Sequence, residues 1–293
     1  MRVGLLFVCG AGVLWGTGGL AMQLIGRHSE LGTTTVSLWR MAIAAATVLA
    51  VVAARRAWAA FAATVRRDPV RAVLVGVGVG GYQALYFASV VAVGVSVSTV
   101  VSLGVAPVLL TTWEHARRRT VPTPVEAAIL IAAIGGLLLV SGGGTDGDRP
   151  TLGIVLALAS GTTYALTTVV GERLAATESA LSVTACTTVF GTLFLVPFAV
   201  LAGGPAFAGG VRVGLLLGYL GVMTLALAYA LLYAGLRTTK ASTATIASLL
   251  EPVTAAVAAA VLLDARIGPL GVAGTALILA AVAGLSLTVT SPA

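Results

Sequence analysis

Charge is what this sequence has least of. Lys, Arg, Asp and Glu together supply 9% of its 293 residues, against roughly 25% in an ordinary soluble domain. So little solvating surface excludes a soluble core of this length, and the apolar surplus must face lipid. Histidine occurs twice, at His28 and His115, in loops on opposite sides of the expected membrane. Membrane-embedded transferases gather His, Asp or Glu at one face, so an enzyme is not expected. Cysteine also occurs twice; Cys9 and Cys186 lie in apolar stretches and give neither disulfide nor metal-ligand spacing. A Walker motif is missing too. Residues 76–81 read GxGxGG but lie inside an apolar run with no neighbouring Lys or strand. No cofactor or metal is therefore expected, and ATP-driven pumping would need a separate partner. A charged ring or filter-like sequence, the mark of a channel, is absent as well.

What is present is apolar length. A helix needs about 20 mostly apolar residues to cross the hydrocarbon core. The runs 3–26, 72–113, 150–171, 179–211, 213–236 and 267–293 contain no charged residue at all. The pattern predicts ten transmembrane helices at 3–25, 32–54, 72–93, 96–113, 125–141, 152–171, 180–202, 213–235, 241–263 and 267–289. The first is too long for a signal peptide and lacks a cleavage site, so it reads as a retained helix. The 36 glycines suit helices that approach closely in a bilayer.

The net charge of +7 would suggest nucleic acid in a soluble protein, but here it follows loop position. With the N-terminus inside, the inner loops hold Arg2, Arg55, Arg56, Arg66, Arg67, Arg71, Arg117, Arg118, Arg119, Arg173, Arg237 and Lys240. The outer loops hold Arg27, Arg149, Arg212 and Arg266, a bias of twelve to four that sets both termini in the cytoplasm. The longest inner loop, 55–71, carries Trp58, Phe61 and Val65 at helical spacing beside Arg66 and Arg67. It reads either as an interfacial amphipathic turn or as an ordinary basic loop.

The second half repeats the first. At an offset of 145, Gly76, Pro107, Val108 and Pro124 match Gly221, Pro252, Val253 and Pro269; at 149, Gly4 and Gly12 match Gly153 and Gly161. Five spans per repeat is an odd number, so the halves 1–145 and 146–293 are expected to enter the membrane in opposite senses. Inverted repeats of this kind characterise secondary transporters, whose substrate site lies near the midplane between the halves.

Over nearly its whole length the chain resembles the EamA-type transporters of the drug/metabolite transporter superfamily. The resemblance rests on Trp15-Gly16, Arg40, Tyr82-Gln83 with Tyr86-Phe87, and Gly94-Val95-Ser96 before Ala106-Pro107. It continues through Tyr219-Leu220-Gly221-Val222-Met223-Thr224 and Leu249-Leu250-Glu251-Pro252-Val253, where Glu-Pro is the most specific element. It implies an all-α, ten-helix protein of the bacterial inner membrane with inward termini and a central cavity. It also implies export of amino acids, metabolites or toxic compounds, with uptake as the alternative direction. Where such proteins often carry Leu-Gly-Glu-Arg after each Pro helix, this chain has His115-Ala116-Arg117-Arg118 and Leu263-Asp264-Ala265-Arg266. A mechanism resting on those glutamates is therefore lost. The first span also lacks the Glu of the smaller four-helix multidrug members, so their proton-exchange scheme does not carry over.

Glu251 is the sharpest candidate for the chemistry. An acid inside a span is costly, so it faces protein or water, and Pro252 beside it removes a backbone donor. It would bind a cation, exchange a proton or lock the bundle through a hydrogen bond. Arg40, also inside a span, would pair with Glu251, anchor an anionic group or serve structure. The candidate lining is Trp15, Tyr82, Gln83, Tyr86, Tyr164 and Tyr229, with Trp113 and Tyr233 as further rings. Aromatic faces and polar tips suit amphipathic metabolites or cations. Pro107 and Pro252 are the expected helix breaks and hinges, and Ser96, Ser98, Thr99, Ser102, Ser242, Thr243, Thr245 and Ser248 accompany them. The expected partners are a small-molecule substrate and the lipid bilayer, then a proton or counter-substrate, and a second copy of the chain.

Overall fold

The computed structural model describes residues 2–141, 148–204, 210–263 and 268–288. The boundary between the expected halves at 145 and 146, and the Asp264-Ala265-Arg266 segment, lie outside the described residues. Helices account for almost all of the rest. They are α1 (Arg2–His28), α2 (Thr33–Ala54), α3 (Trp58–Arg67), α4 (Pro69–Val93), α5 (Val95–Arg118), α6 (Pro124–Ser141), α7 (Pro150–Thr177) and α8 (Ala180–Leu201). Then come α9 (Val211–Tyr219), a π-helical stretch (Leu220–Leu227), α10 (Ala228–Leu236), α11 (Ala241–Ala247), α12 (Leu250–Leu263) and α13 (Pro269–Thr288). Among the described residues nine segments are long and apolar enough to span a bilayer, and Pro269–Leu285 is a shorter apolar tenth. This is an all-α, multi-pass membrane protein.

Local chemistry sets the helix ends. Pro69, Pro124, Pro150 and Pro269 each open a helix, where the missing N–H is an orphan in any case. Thr123 and Glu126 form a reciprocal cap: the Thr123 N–H donates to Glu126 at 2.8 Å and the Glu126 N–H to Thr123 Oγ1 at 3.3 Å. A single residue, Gly94, separates α4 from α5. Its φ of 91° and ψ of 163° fall where a side chain would clash, so only glycine makes so abrupt a turn between two spans.

The structure departs from the sequence expectation in three places. The fourth span does not stop at Trp113 but runs to Arg118, closed by Arg119 in a left-handed conformation. The 55–71 segment, expected either as an amphipathic turn or as a basic loop, contains a longer element, the ten-residue helix α3, which packs on α8. Pro107 and Pro252, expected to break their helices at matching points, behave differently. α5 continues without interruption past the buried Pro107. The break in the ninth span comes earlier than Pro252, at the Ser248–Leu249 turn. Pro252 is then the third residue of α12, where its absent N–H would have had no helical partner.

Helices of the two halves interleave. α4 packs on α7 and α8; its counterpart, the eighth span, packs on α1 and α2. α5 packs on α7 as α12 packs on α1, while α2 meets its own counterpart α8 and α6 meets α13. Exchanging each helix for its counterpart reproduces the pattern. Small residues sit at the matched crossings. Gly161 of α7 lies against the Ser102 backbone and Gly12 of α1 against the Ser248 backbone; Gly76 lies against Gly191 and Gly221 against the Arg40 carbonyl. Lipid offers no hydrophobic drive between helices, so such close backbone approach carries the packing.

Candidate functional site

The expected site residues converge where α1, α2, α4, α7, α10 and α12 meet. Tyr82 on α4 is the hub. Its hydroxyl lies 3.0 Å from that of Tyr229 on α10, and its ring centroid lies 5.4 Å from that of Tyr164 on α7. Trp15 of α1 stands edge-on to Tyr229 at 5.5 Å, and Tyr229 is followed one turn on by Tyr233 at 5.9 Å. The Tyr164 hydroxyl donates to Ser248 Oγ at 3.1 Å, in the turn that interrupts the ninth span. Tyr86, one turn beyond Tyr82, pairs instead with Thr99 of α5 at 2.8 Å. The hub thus ties both halves of the chain through side chains a helical turn apart.

Arg40 reaches the same place from α2. Its Nη2 donates to Gln83 Oε1 at 2.7 Å, while the buried Gln83 holds its own amide on the Val79 carbonyl at 3.3 Å. Arg40 does not pair directly with Glu251, one of the roles expected for it. The ion pairs among the described residues are Arg67–Glu178, Arg71–Asp68 and His115–Glu126. Glu251 lies within electrostatic reach of Arg40 and Tyr82, yet its half-buried carboxylate has no hydrogen-bond partner among the described residues. Two buried donors are likewise unmatched: Arg40 Nε and Trp15 Nε1. A buried polar group without a partner costs on the order of 1–3 kcal/mol, so two buried donors left open in one cluster are an expensive arrangement.

Other residues fall outside this cluster. Trp113 is 58% exposed and borders a surface cleft of about 540 Å³ with Ala116 and Arg117, the position of an interfacial belt residue. Tyr219 is 36% exposed and donates to Thr17 Oγ1 at 2.6 Å. A second cleft, of about 380 Å³, lies between α6 and α13. Sequence reasoning missed the polar joints that hold the site's walls. Thr187 of α8 and Tyr233 share a hydrogen bond of 2.8 Å, and Ser89 of α4 bonds Ser98 and the Gly153 carbonyl, each at 2.7 Å. Thr187 and Ser89 are small hydroxyls in apolar runs and give no signal until the partner helix is known. The π-helical stretch was equally invisible. It ends just before Tyr229, and such segments are frequent at functional sites.

Two copies of one family model, described as the EamA-like transporter family, match residues 2–142 and 151–287. The chain belongs to the EamA-like transporter family. It is 29% identical over 294 residues to an uncharacterized inner membrane transporter, YicL, of Salmonella typhimurium, covering 98% of this chain and 96% of that one. It is 26% identical over 198 residues to an uncharacterized transporter, YwfM, of Bacillus subtilis, covering 68% and 67%. A crystal structure of a protein 18% identical superposes with a TM-score of 0.82 over 98% of both chains, a likeness of fold alone. As a member of this transporter family, the chain has a small molecule to carry and a bilayer to carry it across.

Proposed function

We propose that the chain is a secondary transporter of the inner membrane that exports small metabolites, amino acids or toxic compounds by alternating access. The halves 1–145 and 146–293 act as inverted repeats around a central site. The observation that carries this reading is the open carboxylate of Glu251 beside the unmatched Arg40 Nε and Trp15 Nε1, all against the Tyr82, Tyr164 and Tyr229 rings. Such a set fits a small solute that brings its own donors and acceptors and lays an apolar body on aromatic faces. The exchange symmetry of the helix contacts supports rocking of one half against the other. The Ser248–Leu249 turn and the π-helical stretch are the joints where backbone bonding already departs from the α-helix. A proton or a counter-substrate supplies the coupling, and Glu251 is the group that would receive it.

Untargeted comparison of metabolites inside and outside cells with and without the protein tests this function. One or more solutes should accumulate outside only when the protein is present, and indistinguishable profiles would count against export. Replacing Tyr82, Tyr86 or Tyr164 with Ala should then alter apparent affinity or substrate range more than protein yield. Tyr219→Ala, which removes a partly exposed ring bonded to Thr17 outside the cluster, should leave apparent affinity and substrate range unchanged. If all four variants lose yield and activity in step, the rings are packing and not lining.

The charge bias predicts cytoplasmic termini and a cytoplasmic α3. In a variant with Cys9 and Cys186 replaced by Ser, a cysteine at the exposed position Ala60 should resist an impermeant thiol reagent added outside cells. It should react once the membrane is opened. Strong labelling from outside would reverse the orientation.

A further inference from the structure

We infer that the elbow joining α2 to α4 is a binding surface for anionic phospholipid headgroups. It carries Arg55, Arg56, Arg66, Arg67 and Arg71 within 17 residues of chain, from 55 to 71. Two of the five have acidic partners: Arg67 Nη1 lies 3.6 Å from Glu178 and Arg71 Nη1 lies 2.7 Å from Asp68. Arg55, Arg56 and Arg66 are exposed and have no acidic partner among the described residues.

The depth of this surface follows from its neighbours. Val51 near the end of α2, and Val70 and Leu74 near the start of α4, are exposed apolar side chains on membrane-spanning helices. The helix between them lies where those spans leave the hydrocarbon, at headgroup level. Trp58 is 49% exposed there, its ring edge-on to Phe61 at 6.4 Å. An amphipathic ring at a membrane interface is in its preferred medium, and a short helix with one docked face and arginines at both of its ends suits the interfacial plane. Folding alone does not ask for these arginines. Arg56 closes α2 in a left-handed conformation, φ 53°, a position that glycine or asparagine takes more cheaply. Guanidinium groups bind phosphate through paired N–H donors, which matches the headgroup chemistry.

The surface is also wired to the rest of the fold. The buried Thr64 on the docked face of α3 donates to Glu178 Oε2 at 2.7 Å. Glu178 caps the end of α7, and Ser179, next to it, caps the start of α8. Headgroups held on α3 therefore bear on the α7–α8 turn of the other half.

Tryptophan quenching in vesicles tests the inference. The purified protein is reconstituted in phosphatidylcholine containing an equal, minor amount of brominated phosphatidylglycerol or brominated phosphatidylcholine. Trp58→Phe isolates the contribution of Trp58. The Trp58 signal should be quenched more strongly by the anionic lipid. The preference should fall about fivefold per arginine removed in R55Q/R56Q/R66Q, and vanish in molar salt. R55K/R56K/R66K, which keeps the charge, should retain most of it. If the triple Gln variant does not insert, R55Q and R66Q singly provide the same comparison. Equal quenching by both lipids, or an unchanged preference in the Gln variants, would overturn the inference. So would binding of an acidic soluble peptide without any lipid preference, which would assign the surface to a protein partner.

Discussion

Glu251→Gln is expected to cut transport by about 100-fold or more, the loss of roughly 3 kcal/mol from a charge-assisted contact, with membrane abundance unchanged. Gln keeps the shape of Glu but removes the charge and the exchangeable proton and turns one acceptor oxygen into an NH2 donor. If Glu251 were a structural lock, the charge would be answered by a donor within the bundle. Arg40, the nearest cation expected for that task, spends its Nη2 on Gln83 instead, and no ion pair to Glu251 forms among the described residues. Removing a charge that no donor binds directly breaks no hydrogen bond of the bundle and spares the cost of an acid in the membrane interior, which offsets the lost attraction to Arg40. Activity and stability should therefore separate. Transport assayed in vesicles against quantified protein, with a thermal unfolding midpoint beside it, reads both. A fall in abundance in proportion to activity would assign Glu251 to structure.

The spans were legible because the bilayer imposes the bluntest of constraints, length without charge. The six uncharged runs follow directly from the sequence, and α1, α2, α4 and α6 to α8 begin and end within a few residues of expectation, except where α7 extends to Thr177. Capping signals were equally readable at Thr123 and Glu126. Helix interruptions were not. Proline is the obvious marker in the sequence, yet Pro107 sits inside an unbroken α5 and the real turn, Ser248–Leu249, begins four residues before Pro252. In the first turn of a helix a proline's missing N–H costs nothing, as at Pro252, and only the helix start tells which prolines are of this kind; nothing in the sequence marks Pro107 as lying within a continuous helix. The site was half legible for a related reason. Trp15, Tyr82, Tyr164, Tyr229 and Glu251 stand out because rings with polar tips and an acid are conspicuous in an Ala- and Gly-rich chain. Which ring meets which is set by helix crossings between segments nearly 150 residues apart, such as Tyr82 with Tyr229. So Tyr82 and Tyr86, one helical turn apart on α4, have different partners, Tyr229 and Thr99.

Gly161→Val is expected to lower the amount of folded protein about tenfold, the consequence of at least 1–3 kcal/mol of overpacking. Gly161 is buried on α7, and a Cβ there would strike the Ser102 carbonyl of α5. That obstacle is backbone, not the tip of a flexible side chain. It is also pinned: Ser102 Oγ donates to the Ala157 carbonyl at 3.2 Å, and Ser160 Oγ donates to the Tyr82 carbonyl at 2.9 Å. α7 cannot move away without breaking both. Helix propensity works the other way, since Val in a helix interior is a few tenths of a kcal/mol better than Gly, so any loss must come from the steric contact. Two further glycines calibrate the effect. At Gly12, the counterpart on α1, a Cβ would lie 3.3 Å from the Ser248 backbone, tight but tolerable with a small shift. At Gly135 it would meet nothing within 4 Å. Fluorescence-detected size exclusion of the three Val variants should rank Gly135 nearest wild type, Gly12 between, and Gly161 lowest. Gly161→Val at wild-type abundance would mean that the α5–α7 crossing is looser than the geometry has it. The site built on Tyr82, Tyr164 and Ser248 would then lose its rigid wall.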